Sequence, residues 1–354
     1  MRVIASLPVD DWKAAAPAAQ AAEELGYDGV QSSELAHDLF APLTIATMAT
    51  DRVELATGIA VAFPRSPMVM ANLAWDLQAN SGGRFHLGIG TQVKGHNERR
   101  FSVPWTGSPV TRMREYIESL RAIWRCWEKG EKLAYEGEHY RFTLMTPEFS
   151  PPANGLPMVP VSIAAVGPAM LRMAGRVCDG ARLHGFCTRR YIENVAMQRI
   201  DEGLAASGKP RHNFEISGGG FVATGADDKA VAEMMDWVRY RVAFYGSTRT
   251  YWPVWEQHDL VDLGAKLHRM SLDGQWQQMA GEISDDVVRL FAAVGRHDEI
   301  VGAIEARFGG LVDAMRVNFP NPAEGGLSKE LIQDIRRIPT PFQGFQTDWT
   351  AAAA

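Results

Sequence analysis

The chain has 354 residues, 46% of them apolar and 22% charged, with a formal net charge of −6. That is the composition of a globular protein with an ample core. Mild acidity with scattered basic residues excludes the cationic stripe of a nucleic-acid binder. The pairs Arg99-Arg100, Arg189-Arg190 and Arg336-Arg337 read as solvated helix faces. Cys126, Cys178 and Cys187 show no CxxC spacing, so neither a disulfide framework nor a metal site is expected, and a reducing, cytoplasmic compartment fits. No run approaches the roughly 18 apolar residues of a membrane span. Asp10 and Asp11 follow Val3–Leu7 too closely for a signal peptide.

In chain order the pattern alternates strand and helix. Val3–Leu7 is a short apolar strand, and Trp12–Leu25 an amphipathic helix stopped by Gly26. Asp28–Gln31 is a second strand, and Pro42–Thr50 a helix with proline in its first turn. Val53–Val61 is a third strand, Pro67–Ser81 a helix, and Phe85–Ile89 a fourth strand. Thr111–Lys129 is a long helix. Residues 130–158 form an excursion with a small hairpin. Pro160–Ala165 is strand five, Pro168–Val177 a helix, Gly180–Leu183 strand six and Arg190–Ala206 a helix. Phe214–Val222 is strand seven, interrupted by Gly218-Gly219-Gly220, and Ala230–Phe244 a helix. Tyr251–Phe308 reads as mainly helical with no clear strand, and Leu311–Val317 as strand eight. Repeated βαβ units imply a parallel sheet, and the short buried strands suit a (β/α)8 barrel with insertions, a helical one preceding the last strand. A doubly wound sheet is not excluded by spacing alone. One domain is expected over residues 1–345, with 346–354 as a C-terminal tail whose closing alanines, Ala351–Ala354, are frayed.

Three segments carry chemistry. In the first, Ser81-Gly82-Gly83-Arg84-Phe85-His86-Leu87-Gly88-Ile89-Gly90-Thr91-Gln92, two glycines end a helix and a short strand opens onto Gly88 and Gly90, where backbone can approach a ligand. In a barrel that end holds the active site. The second is Ala56-Thr57-Gly58-Ile59, at the end of strand three. The third is Val161–Met170, an apolar strand running into Ala164, Ala165 and Val166, then Gly167 as N-cap and Pro168 as first helical residue. Such a helix start offers its amides to an anion. Arg172 and Arg176 share a helix face, read as solvated.

The string from Ser81 to Gln92 resembles the SGGRF-x-LGxG signature of the luciferase-like superfamily of flavin and deazaflavin enzymes, and the likeness runs in register over most of the chain. It implies a cofactor-facing bulge at Gly58–Ile59, commonly a non-prolyl cis bond. It also implies that Ala164, Ala165, Val166, Gly167 and Pro168 hold the cofactor's ring edge and phosphate. Gly26–Asp38 and Gly90–Phe101 are similar to members that use coenzyme F420, a deazaflavin with a phosphate and a polyglutamate tail. This places Thr91, Gln92 and Lys94 among the cofactor contacts, with Arg65, Arg99 and Arg100 as further partners for its charge. The implied reaction is hydride transfer at the deazaflavin ring to or from a CH–OH, C=C or C=N group of a small or medium organic substrate, which needs a proton donor or acceptor. Many members carry an Asp-His pair after strand two. Here Glu34-Leu35 stands at that place, so Glu34 keeps the carboxylate and His37 is the substitute imidazole, with His96 and His184 as further candidates. Two alternatives remain open: an FMN-dependent two-component monooxygenase, and a barrel that binds flavin or deazaflavin without turnover. Family members often pair as homodimers. Trp12, Trp105, Trp252 and Trp255 read as packing residues, and residues 130–158 and 245–295 as the regions that set specificity.

Overall fold

The computed structural model of the chain describes residues 1–316, 327–347 and 349. Eight short strands, their outward side chains packed against helices, form one parallel sheet: β1 (Arg2–Ser6), β2 (Gly29–Ser32), β3 (Glu54–Thr57), β4 (Phe85–Gly90), β5 (Val161–Ala165), β6 (Gly180–Leu183), β7 (Glu215–Gly218) and β8 (Ala314–Arg316), with the expected strand Val53–Val61 split so that a two-residue ninth strand, Ala60–Val61, follows β3 and pairs with β4. Each strand pairs with the next, and β8 returns to β1 through Arg2↔Ala314, so the sheet closes on itself. The fold is a (β/α)8 barrel.

Local signals explain the helices. In α1 (Trp12–Leu25), Asp11 caps the start by accepting the Lys13 N–H at 2.9 Å, Ala15, Ala19 and Ala22 face the core, and Gly26 ends it at φ 91°. The next, α2, spans Phe40–Ala49 and starts two residues before Pro42, where Asp38 Oδ1, just ahead of the N-cap Leu39, accepts the Phe40 N–H at 2.8 Å. Ser66-Pro67 opens α3 (Pro67–Asn80), and Ser108-Pro109 opens α4 (Pro109–Lys129). After β5 comes α5 (Pro168–Val177), and after β6 a π-helical stretch, Ile192–Met197, runs into α6 (Gln198–Ser207). The expected hairpin in residues 130–158 is present as Tyr135–Glu136 against Arg141–Phe142.

Two expectations need correction. Strand seven does not run to Val222. Gly218 and Gly219 take φ of 83° and 85° and turn the chain out of the barrel, and Phe221–Gly225 starts a second sheet. The segment Tyr251–Phe308 does contain a strand, Ala292–Arg296, which pairs in parallel with Phe221–Gly225. Its two alanines and glycine carry little strand propensity, so only the partner reveals it. Between the two strands lie α7 (Asp228–Gly246) and several shorter helices, and α8 (Ile300–Phe308) follows. The insertion before β8 is therefore mixed rather than helical. Of strand eight, Val317 lies outside the described residues, as do Ala351–Ala354. Thr347 accepts the Met158 N–H at 3.0 Å, and Trp349 packs edge-on against Trp75.

Alternation along the strands sorts the barrel interior into layers. At the floor, Arg2 bridges Glu54 and Glu215, His86 lies 4.0 Å from Glu215, and Phe345 packs edge-on against His86. Burial, with Arg182 and Arg2 nearby, holds the His86 imidazole well below its usual pKa, so it stays neutral. Above it Arg182 crosses the centre, its Nε donating to Ser162 Oγ at 2.8 Å and its Nη1 to Gln31 Oε1 at 3.2 Å. No bulkier residue than glycine fits at position 88, since a Cβ there would stand 2.5 Å from Arg182 Nε and 2.1 Å from the Thr57 carbonyl. Cys126, Cys178 and Cys187 are free and buried. Among the described residues no helix is long and apolar enough to cross a membrane.

Candidate active site

The top layer, at the C-terminal ends of the strands, is built from Ser33, Gly58, Gly90, Ala164, His184 and Arg316, each in phase with the inward residues below it. One wall comes from β3, β4 and β5. The Gly58–Ile59 bond is cis, as expected, and the Gly58 carbonyl accepts from Ser33 Oγ at 2.8 Å. A Cβ on Gly90 would meet the Ile59 side chain at 2.8 Å and Ala164 Cβ at 3.4 Å. These three residues therefore adjoin. Ala164 is exposed although it sits within a barrel strand. An exposed methyl group in a closed barrel marks open space in front of it, while Gly90 beside it is buried under the Ile59 side chain, so the wall is apolar and opens at Ala164. Beside it Val166 and Gly167 are half-buried, Gly167 caps α5, and Pro168 is exposed at its first position. Tyr191 Oη fixes this loop by donating to the Val166 carbonyl at 2.7 Å.

Next to the wall, Glu34 accepts the Val61 N–H at 2.8 Å and two bonds from Arg65 Nη1, at 2.8 and 3.0 Å. Arg65 also reaches Asp38 at 3.1 Å and the Val61 carbonyl at 3.0 Å. Glu34 is thus tied into the chain just after the cis bond. His37 and His96 are both exposed, on the segments following β2 and β4. Those segments are joined where Arg100 Nη2 donates to the Leu35 carbonyl. Thr91 and Gln92 are half-buried, and Gln92 has φ 57°. The Thr91 carbonyl accepts from the buried Asn97 side chain at 2.9 Å. Lys94 is 64% exposed and 3.8 Å from Glu98.

The opposite wall holds His184, one of the further imidazole candidates, together with Arg316, to which the sequence assigned no role. His184 Nδ1 accepts the Phe186 N–H at 2.9 Å, which leaves the proton on Nε2. The ring stacks on Tyr251 at 4.7 Å and meets Tyr245 edge-on at 4.4 Å, both from the insertion after β7. Burial, helped by Arg316, lowers the His184 pKa to about 4, so the ring is a neutral N–H donor at physiological pH. Arg316 Nη1 donates to Ser33 Oγ at 3.1 Å, and no carboxylate lies within ion-pair distance of it among the described residues. Its side chain is accessible, yet the protein around it and the neighbouring Arg241 and Arg182 lower its pKa. It therefore stands in a crowded cleft and not on the outer surface. Period-two alternation holds the signal for these residues: Gln31 and Ser33, and Arg182 and His184, fall on one inward face of their strands.

The mouth thus combines an apolar wall with a wall of fixed N–H donors. Such a site takes a planar aromatic group on one side and a polar, electron-rich substrate atom on the other.

Comparison with known proteins agrees with this architecture. Residues 3–314 match the family model described as luciferase-like monooxygenase. An uncharacterised protein of Mycobacterium tuberculosis is 47% identical over 323 residues, covering 91% of this chain and 94% of its own length. The 5,10-methylenetetrahydromethanopterin reductase of Archaeoglobus fulgidus is 29% identical over 292 residues, covering 80% of this chain and 82% of that protein. Among solved structures, the coenzyme F420-dependent tetrahydromethanopterin reductase of Methanopyrus kandleri superposes with a TM-score of 0.75 at 20% identity, covering 95% of this chain and 97% of that one. The chain belongs to the luciferase-like monooxygenase family.

Proposed function

We propose that this chain is an oxidoreductase that transfers a hydride between coenzyme F420 and a small or medium organic substrate bound in the barrel mouth. The observation that carries the reading is the wall of Gly58, Ile59, Gly90 and Ala164 at the cis Gly58–Ile59 bond, with the Ala164 methyl group exposed within a barrel strand, against which a deazaflavin ring would lie. Similarity over 80% of this chain to a methylenetetrahydromethanopterin reductase, with an F420-dependent enzyme of the same fold, supports this reading.

When bound, the deazaflavin supplies a carbon that accepts or releases a hydride. The chain's own residues do the rest. Gly58, Ile59, Gly90 and Ala164 receive the ring. Ala165, Val166 and Gly167 would present backbone to its edge, and the amides that follow Pro168 at the start of α5 would hold its phosphate. Thr91 and Gln92 would bound the ring on the β4 side, and Lys94 would hold the tail's carboxylates.

On the donor wall, the Nε2–H of His184 and the guanidinium of Arg316 hold the substrate heteroatom and stabilise negative charge on it. That requirement fits a CH–OH, C=C or C=N group. His37 and His96, exposed on the segments around the mouth, exchange the proton with solvent, and Glu34 keeps the apolar wall in place through Arg65 and Val61. The test is a substrate screen on the F420-loaded protein, read by loss or gain of deazaflavin absorbance. Turnover that survives in wild type and is lost on His184→Ala or Arg316→Ala supports the assignment. Absorbance that no alcohol, enone or imine changes contradicts it.

A further inference from the structure

A second cavity lies outside the barrel mouth, behind the segments that follow β6 and β7, with a volume of about 620 Å3. Its lining includes Arg190, Arg289, Arg307 and His258. Arg307, on α8, is 7% exposed. All its hydrogen bonds run from one nitrogen, Nη2, to the carbonyls of Cys187 at 2.6 Å, Gly219 at 3.1 Å and Phe291 at 3.4 Å. Its Nε and Nη1 are buried and without a hydrogen-bond partner. No carboxylate lies within ion-pair distance of Arg307 among the described residues. Burial lowers its pKa to about 10, with Arg189 adding repulsion, yet at neutral pH the guanidinium remains charged.

A buried cation without a counter-ion and with two unmet donors is costly to keep. The Phe308 ring, 4.9 Å from the guanidinium, offers a cation–π contact but no counter-charge. Arg189 is spent on Glu193 at 2.8 Å and on the Ala306 carbonyl at 2.9 Å. Neither Arg190 nor Arg289 has a carboxylate within ion-pair distance among the described residues. Burial, then Arg190 and Arg307, depress the pKa of His258, which shares a hydrogen bond with Thr188 Oγ1 at 2.8 Å. Three guanidinium groups thus share one cavity without an ion pair of their own, and the carboxylate in its lining, Glu193, is taken by Arg189.

We propose that this cavity is a binding site for a multiply charged oxyanion, a phosphorylated small molecule or a polycarboxylate, held by Arg190, Arg289 and Arg307. Planar guanidinium forks match both phosphate and carboxylate. A volume of about 620 Å3 is larger than a lone phosphate needs and suits a ligand of metabolite size. The site is distinct from the hydride-transfer mouth and does not depend on which cofactor binds there.

The experiment is thermal unfolding of the full-length protein at constant ionic strength, titrated with inorganic pyrophosphate, with tricarballylate, and with chloride as the reference. The expected result is saturable stabilisation by pyrophosphate or tricarballylate but not chloride, and the more effective anion tells phosphate from carboxylate chemistry. The double variant Arg190→Gln/Arg289→Gln changes two exposed residues and keeps the fold. In it the midpoint of the titration moves to concentrations about tenfold higher or more. Arg307→Met abolishes the effect outright where it folds, and the double variant decides the matter where it does not. Absence of saturable stabilisation, or saturation unchanged in the double variant, overturns the proposal.

Discussion

Glu34 and Arg65 form the ion pair that ties the segment after β2 to the chain just beyond the cis Gly58–Ile59 bond: Arg65 Nη1 lies 2.8 Å from Glu34 Oε2, which also accepts the Val61 N–H at 2.8 Å. The carboxylate is nearly enclosed, its side chain 8% exposed. Removing Glu34 leaves the Val61 N–H without its acceptor and Arg65 with Asp38 as its remaining carboxylate. Glu34→Ala is therefore expected to lower stability by about 2 kcal/mol and to weaken cofactor binding, measured by urea unfolding and by fluorescence titration. A variant of unchanged stability and affinity that has lost only turnover would make Glu34 the acid or base instead.

Ala164 is the residue through which the apolar wall can be tested most cleanly. Its side chain already faces open space, so Ala164→Leu adds bulk without overpacking a core. Stability should stay within about 1 kcal/mol of wild type. Cofactor affinity should fall at least a hundredfold, about 2.7 kcal/mol, because the added side chain fills the space next to Ile59 and Gly90. Normal binding in this variant would move the cofactor site elsewhere.

Gly88 makes the complementary case below the mouth. Thr57 Oγ1 both donates to the Gly88 carbonyl and accepts its N–H, each at 2.7 Å, and a Cβ would stand 2.1 Å from the Thr57 carbonyl. Backbone cannot yield there as a side-chain tip can. Gly88→Ala should cost about 3 kcal/mol or more, visible as a lower urea midpoint with an unchanged slope.

His184 gives the stability a pH signature. Its pKa is about 4 in the folded chain, against 6.5 ordinarily. Between these values the unfolded chain takes up a proton that the folded chain refuses. The contribution is therefore fully present above pH 6.5, falls as pH drops through the window, and is exhausted near pH 4. At most about 3 kcal/mol is involved. Urea unfolding at pH 7.5, 6 and 5 should show a smaller decline for His184→Gln than for wild type. Equal declines would mean that the imidazole is charged, or freely solvated, in the native state.

Much of this architecture is legible in the sequence because barrel strands are short, apolar and punctuated. Trp12–Leu25, Pro168–Val177 and Gly180–Leu183 fall where caps, glycines and prolines put them. The residues of one wall, Gly58, Ile59, Gly90 and Ala164, stand out through their motifs. The opposite wall does not, because its meaning arises only when distant strands meet. Ser33 and Arg316 are far apart in sequence yet hydrogen-bonded at 3.1 Å. Lone histidines carry no mark of their surroundings either: His37 and His184 look alike in sequence, but one is exposed and the other is stacked between tyrosines. The strand Ala292–Arg296 was hidden for the same reason, since its partner lies across the whole insertion.

Cofactor choice is the central claim, and parallel titration of the protein with coenzyme F420 and with FMN, followed by cofactor fluorescence, tests it most directly. Saturable binding of the deazaflavin with negligible FMN binding, lost in Ala164→Leu, is the result predicted here. Preference for FMN, or binding of neither, would contradict it.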